Sequence, residues 1–159
     1  MPEHTELLER LKDQRPAAWE QLPDFALYMA LKDHTGGKSW YQWEKELKFR
    51  EPNAIWQMRR QLRDRVSFYS FVQYLFFRQW EKLRAYAHKN GIGIIGDMPI
   101  YVAHDSMDVW AAPEQFLLDE NYNPTVVAGC PPDGFSPDGQ LWGNPIYNWK
   151  KMEQDGFRW

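Results

Sequence analysis

The sequence predicts an α/β fold in which a long helix leads into a buried parallel strand. Phe68, Val72, Phe76, Trp80, Leu83 and Ala87 recur at spacings of three and four, the period of one helical face. Asn90-Gly91 then supplies a helix stop. The run Ile92-Gly93-Ile94-Ile95-Gly96 is short, apolar and β-branched, the texture of a strand covered on both sides.

From the N-terminus, Leu7, Leu8 and Leu11 make one short helical face in a polar stretch interrupted by Pro16 and Pro23. Asp24 stands at an N-cap position before Phe25-Ala26-Leu27-Tyr28-Met29-Ala30-Leu31, a buried-looking helix. Gly36-Gly37 breaks it. Ser39 to Phe49 carries Trp40, Tyr41 and Trp43 and reads as a loop with short turns. Pro52 suits the first turn of a helix that runs to about Arg63. The long helix follows from about Val66 to Lys89. Past the strand, Asp105 to Trp110 reads as a short helix ending before Pro113, with Asp105 as its cap and Asp108 in its first turn. Phe116-Leu117-Leu118-Asp119 and Thr125-Val126-Val127-Ala128 read as two short strands joined by a turn, with Asp119 and Glu120 solvated. Residues 129–145 hold four Pro and four Gly and read as a long loop. Loops of this length in compact domains are usually functional or disordered, and Phe135 and Trp142 favour function.

Composition narrows the function. The chain of 159 residues carries nine Trp, eight Tyr and nine Phe, or 16% aromatic. Such rings are either core and interface residues or flat surfaces for the apolar face of a sugar. A net charge of −3, from 19 basic and 22 acidic residues, argues against nucleic acid as a partner. Arg59, Arg60, Arg63 and Arg65 read as one solvated helix face. A single cysteine, Cys130, permits no intrachain disulfide and fits a cytoplasmic location. The N-terminus has no apolar signal core, and no run approaches the roughly 18 apolar residues that span a bilayer. His4, His34, His88 and His104 show no metal-ligand spacing, so no metal is expected. No nucleotide loop and no Gly-x-Ser-x-Gly elbow occurs. Asp97, directly after the apolar run, is the best candidate for chemistry, because strand ends form the active-site face of a barrel. A carboxylate capping a turn, or paired with a buried Arg, accounts for the same pattern.

Several segments together resemble the amylomaltase, or disproportionating enzyme, family of 4-α-glucanotransferases. They are residues 94–102, Ile-Ile-Gly-Asp-Met-Pro-Ile-Tyr-Val, and residues 105–110, Asp-Ser-Met-Asp-Val-Trp. The most specific is Val126-Val127-Ala128-Gly129-Cys130-Pro131-Pro132-Asp133-Gly134-Phe135-Ser136, continued by Gly139-Gln140-Leu141-Trp142-Gly143-Asn144-Pro145. Residues 25–32 and 36–40 match more loosely, so the resemblance runs from about Asp24 to Trp159.

The resemblance implies part of a (β/α)8 barrel of the α-amylase clan with helical insertions. Residues 1–159 would be an incomplete portion of one catalytic domain. About 24–65 would be a helical insertion, and about 66–159 would be barrel strand, helices and active-site loop. It implies a cytoplasmic enzyme without cofactor that moves α-1,4-glucan segments between maltooligosaccharides by a retaining double displacement. Its partners would be these glucans and the remainder of the barrel, with no nucleic acid and no membrane. Carried over by motif, Asp97 is a supporting active-site carboxylate and not the nucleophile. Asp133, Phe135 and Gln140 match a mobile acceptor-side loop, and Trp142 and Asn144 match its end. Gly134 stands where some members carry an aromatic, which removes one stacking contact. The family's nucleophile lies in an Arg-x-Asp-His motif that does not occur here; Asp33-His34 has Leu31 in place of the Arg. An internal fragment, inactive alone, is expected. A glucan-binding fragment without catalysis and another α-amylase-clan hydrolase are the alternatives.

Overall fold

A computed structural model describes residues 16–157. The chain divides into two compact units, Met1–Lys38 with Phe49–Asp97, and Ser39–Lys48 with Met98–Trp159. The short helical face at Leu7, Leu8 and Leu11 lies outside the described residues.

The first unit is helical. Helix α1 spans Pro16–His34 with Pro23 inside it. Neither proline ends the helix, so Asp24 is not an N-cap. Its carboxylate instead accepts hydrogen bonds from Arg50 (2.9 Å) and Arg59 (3.0 Å), and Arg59 also donates to the Pro23 carbonyl. Leu22, Ala26, Leu27, Ala30 and Leu31 form the buried face of α1 at helical spacing. The expected stop holds: Gly36 and Gly37 take φ of 67° and 82°, and the Gly37 N–H returns to the Lys32 carbonyl. Pro52 opens its helix as expected, although that helix ends at Gln61.

The first unit's long helix, Arg63–Lys89, packs on α1. The Asn90 side chain donates to the Tyr86 carbonyl, and Gly91 takes φ of 73°. The apolar stripe on this helix is only partly covered. Of the stripe Ala87 is buried, while Phe68, Val72, Phe76 and Leu83 are exposed; Tyr74, off the stripe, is buried.

The expected strand at residues 92–96 is not formed. Residues 92–99 form no regular element and have no ladder partners, and Ile95 is 98% exposed. A parallel strand needs neighbours to satisfy its N–H and C=O groups, and no described segment pairs with this one.

The second unit is α/β and is built around buried aromatics. It begins with a 3-10 turn at Trp40–Gln42 and a short helix, Lys45–Lys48, in line with the expected turns. Numbered through the chain, that helix is α2, Pro52–Gln61 is α3 and Arg63–Lys89 is α4. Trp40 and Trp110 are fully buried and each indole N–H finds a carbonyl, Trp40 that of His104 (2.6 Å) and Trp110 that of Leu47 (3.0 Å). Helix α5 spans Met107–Ala111, with Ser106 as its cap. Asp105 is therefore not the cap. Its carboxylate accepts from the Ser39 hydroxyl and the Trp40 N–H.

The region expected as two strands and a loop is a hairpin displaced along the chain. Strand β1 is Val127–Cys130 and pairs antiparallel with β2, Gln140–Pro145. Leu118 bridges Pro124, and Phe116 bridges Tyr147. Gly129 and Gly139 allow the close approach: a Cβ on Gly129 would lie 2.5 Å from the Gln140 carbonyl, and one on Gly139 2.6 Å from the Cys130 carbonyl. The turn at Asp119 is as expected in place, but its carboxylate is engaged, accepting from the Asn121 and Asn123 N–H groups. Those bonds, Asn123 first, hold it below the usual carboxylate range. Helix α6, Trp149–Gln154, is capped by the Asn148 side chain.

Candidate functional site

The β1–β2 hairpin presents a loop between Cys130 and Gln140 that carries two of the candidate residues. Pro131, Pro132 and Pro137 restrict its backbone. Asp133 organises its tip, because one carboxylate oxygen accepts from both the Phe135 and Ser136 N–H groups at 2.8 Å. The Asp133 N–H donates to the Ser136 carbonyl (3.0 Å), and the Ser136 hydroxyl donates to the Gly139 carbonyl (2.7 Å). The Asp133 carboxylate is thus a turn former as well as a candidate ligand group. With the tip pinned, the Phe135 ring projects and is 98% exposed.

Gln140 and Trp142 meet on β2. The Trp142 indole N–H donates to Gln140 Oε1 at 3.0 Å. The Trp142 ring is 48% exposed and meets Tyr101 edge-on, with centroids 6.0 Å apart and planes at 61°. Asn144 donates from Nδ2 to the Val102 carbonyl at 2.9 Å, so that donor is committed to the backbone. Two residues outside the set of candidate site residues contribute here. Tyr147 is buried and its hydroxyl donates to the Pro99 carbonyl (3.1 Å), and burial, then the Asp108 carboxylate, pushes its phenol up to about 12. Tyr101 lies within a matched motif, but nothing in its own spacing marks it.

Asp97 closes the first unit as an exposed residue in the irregular segment after α4. Retaining glycoside chemistry needs a nucleophile and an acid/base, so Asp97 alone cannot carry it. What the hairpin offers is a projecting ring, a half-open indole and amide groups, which suit the stacking and hydrogen bonding of a pyranose. Among the described residues, no three His, Cys, Asp or Glu side chains are grouped to hold a metal ion, and no helix is long and apolar enough to cross a membrane.

Comparison with known proteins agrees over most of the chain. The 4-alpha-glucanotransferase from Thermus thermophilus is 51% identical over 156 residues, which is 98% of this chain and 31% of that protein. That from Aquifex aeolicus is 54% identical over 138 residues, 87% of this chain and 28% of the relative. The structure of the amylomaltase from Streptococcus agalactiae in complex with acarbose superposes with a TM-score of 0.88 at 43% identity, covering 96% of this chain and 30% of that one. The chain thus spans about three-tenths of the length of these relatives. A family model described as 4-alpha-glucanotransferase (Glyco_hydro_77) matches residues 4–159, and the chain belongs to that family.

Proposed function

We propose that this chain is a portion of a catalytic (β/α)8 barrel that transfers α-1,4-glucan segments between maltooligosaccharides. The observation that carries this reading is the 51% identity to a 4-alpha-glucanotransferase across 98% of the chain. In the proposed reaction, a carboxylate from the remainder of the barrel bonds to the anomeric carbon. The glycosidic C–O bond breaks, and a second carboxyl group gives its proton to the leaving oxygen. The 4-hydroxyl of an acceptor glucan then displaces the enzyme carboxylate and returns its proton to the same group. No cofactor enters the scheme.

Asp97 supports the donor sugar. Phe135 and Trp142 offer stacking surfaces to the acceptor, with Asp133, Gln140 and Asn144 shaping and lining that side. Transfer exceeds hydrolysis when the acceptor is held better than water, and a hairpin with a pinned, aromatic tip suits that requirement. A cytoplasmic location accords with the single cysteine.

The test is to express the whole reading frame that contains these codons and supply maltotriose. Glucose together with oligosaccharides longer than maltotriose supports transfer. Glucose and maltose without longer products would mean a hydrolase, and binding without turnover would mean a glucan-binding protein; either overturns the proposal.

A further inference from the structure

Three contacts tie residues 99–102 to β2 and the chain just after it. The Tyr147 hydroxyl donates to the Pro99 carbonyl at 3.1 Å, the Tyr101 ring meets Trp142, and the Asn144 amide donates to the Val102 carbonyl at 2.9 Å. The two hydrogen bonds grip the backbone on either side of Tyr101, so that side chain starts from a fixed point. The Trp142 indole is in turn held from two directions. Gln140 takes its N–H at 3.0 Å, and Tyr101 meets the ring at 61°. One hydrogen bond alone would leave the indole free to swing about the N–H···O axis. An edge contact from a second ring removes that freedom, while Trp142 as a whole stays 48% exposed.

We propose that Tyr101 is a positioning residue of the acceptor side, setting the plane of Trp142 on which an acceptor glucose ring stacks. The inference rests on the transferase reading above. Tyr101 acts through Trp142 and not on the reacting atoms, so donor cleavage should be insensitive to it. Acceptor capture, and the share of glycosyl-enzyme lost to water, should be sensitive.

The experiment uses the enzyme expressed from the whole reading frame, with maltoheptaose as donor and labelled maltose as acceptor. Tyr101→Leu is expected to raise the acceptor KM about three- to tenfold, the scale of a lost aromatic edge contact. It should raise the hydrolysed fraction and leave kcat for donor cleavage within about twofold. Tyr101→Phe keeps the ring and should restore the acceptor KM. In a Trp142→Ala background, Tyr101→Leu should add nothing further. Should Tyr101→Leu not accumulate as folded protein, Tyr101→Met enters the same cycle with similar bulk. An unchanged acceptor KM, a Tyr101→Phe variant as impaired as Tyr101→Leu, or additive effects with Trp142→Ala would each overturn the role of Tyr101 while leaving the transferase reading intact. A wild-type enzyme that forms no transfer products would overturn the functional reading and this inference with it.

Discussion

Asp133 holds the hairpin tip with one carboxylate oxygen shared between two N–H groups. Asp133→Ala should free both, so the Phe135 and Ser136 amides should exchange with solvent about five- to tenfold faster, as measured by hydrogen exchange. His104 offers a test in pH. Its ring stacks on Tyr41 with centroids 4.6 Å apart, and Nε2–H donates to the Tyr122 carbonyl at 3.0 Å. Burial, aided weakly by Lys48, holds the imidazole below its ordinary 6.5 against the raising effects of that carbonyl and of Asp105. The folded state therefore binds fewer protons than the unfolded chain. The contribution to stability is complete above about 6.5 and declines as pH falls toward the folded pKa. A His104→Gln variant should lack this part of the acid slope, seen as a smaller fall in urea midpoint than wild type between pH 7.5 and 5. Single residues were also where sequence reading erred. Asp24 and Asp105 look like caps because capping is judged from neighbours. Their actual partners, Arg50 and Arg59 for one and Ser39 and Trp40 for the other, lie far along the chain.

The hairpin depends on two glycines facing opposite strands. Gly139 combines φ of 72° with a Cβ position 2.6 Å from the Cys130 carbonyl. Gly139→Ala should cost about 2 kcal/mol, or detach the end of the ladder, and a urea titration of the chain would register either. Helices proved legible in their stops, since Gly36-Gly37 and Asn90-Gly91 act through local backbone preference. Strands proved less so. Residues 92–96 have strand composition but no ladder partner among the described residues, so composition misled. Residues 140–145 form a strand despite Gly143 and Pro145, and the density of Pro and Gly had concealed it. The candidate site was visible as a motif. The ties that shape it, Gln140 to Trp142, Asn144 to Val102 and Tyr147 to Pro99, join residues whose pairing has no mark in the sequence.

Across the whole molecule, burial predicts where substitutions matter. Leu27 is fully buried, so Leu27→Ala should lower stability by roughly 3 kcal/mol in denaturant. Ile95 is 98% exposed, so Ile95→Ser should change the isolated chain by no more than about 0.5 kcal/mol. In the enzyme expressed from the whole reading frame, the same change should cost roughly 3 kcal/mol if this segment becomes a barrel strand. Equal, small effects in both settings would argue against the barrel. The isolated chain, holding one supporting carboxylate of the proposed set, should release no glucose from maltotriose under conditions where the whole enzyme does. The projecting Phe135 has one more consequence. It sits midway in the nine residues between β1 and β2 and is 98% exposed, so chymotrypsin should cut after Phe135 first. A nick there would leave two polypeptides still stitched by the β1–β2 ladder and by the bridge from Phe116 to Tyr147. The hairpin tip is thus a seam at which the protein could be made as two complementing halves, reassembling across a pair of strands.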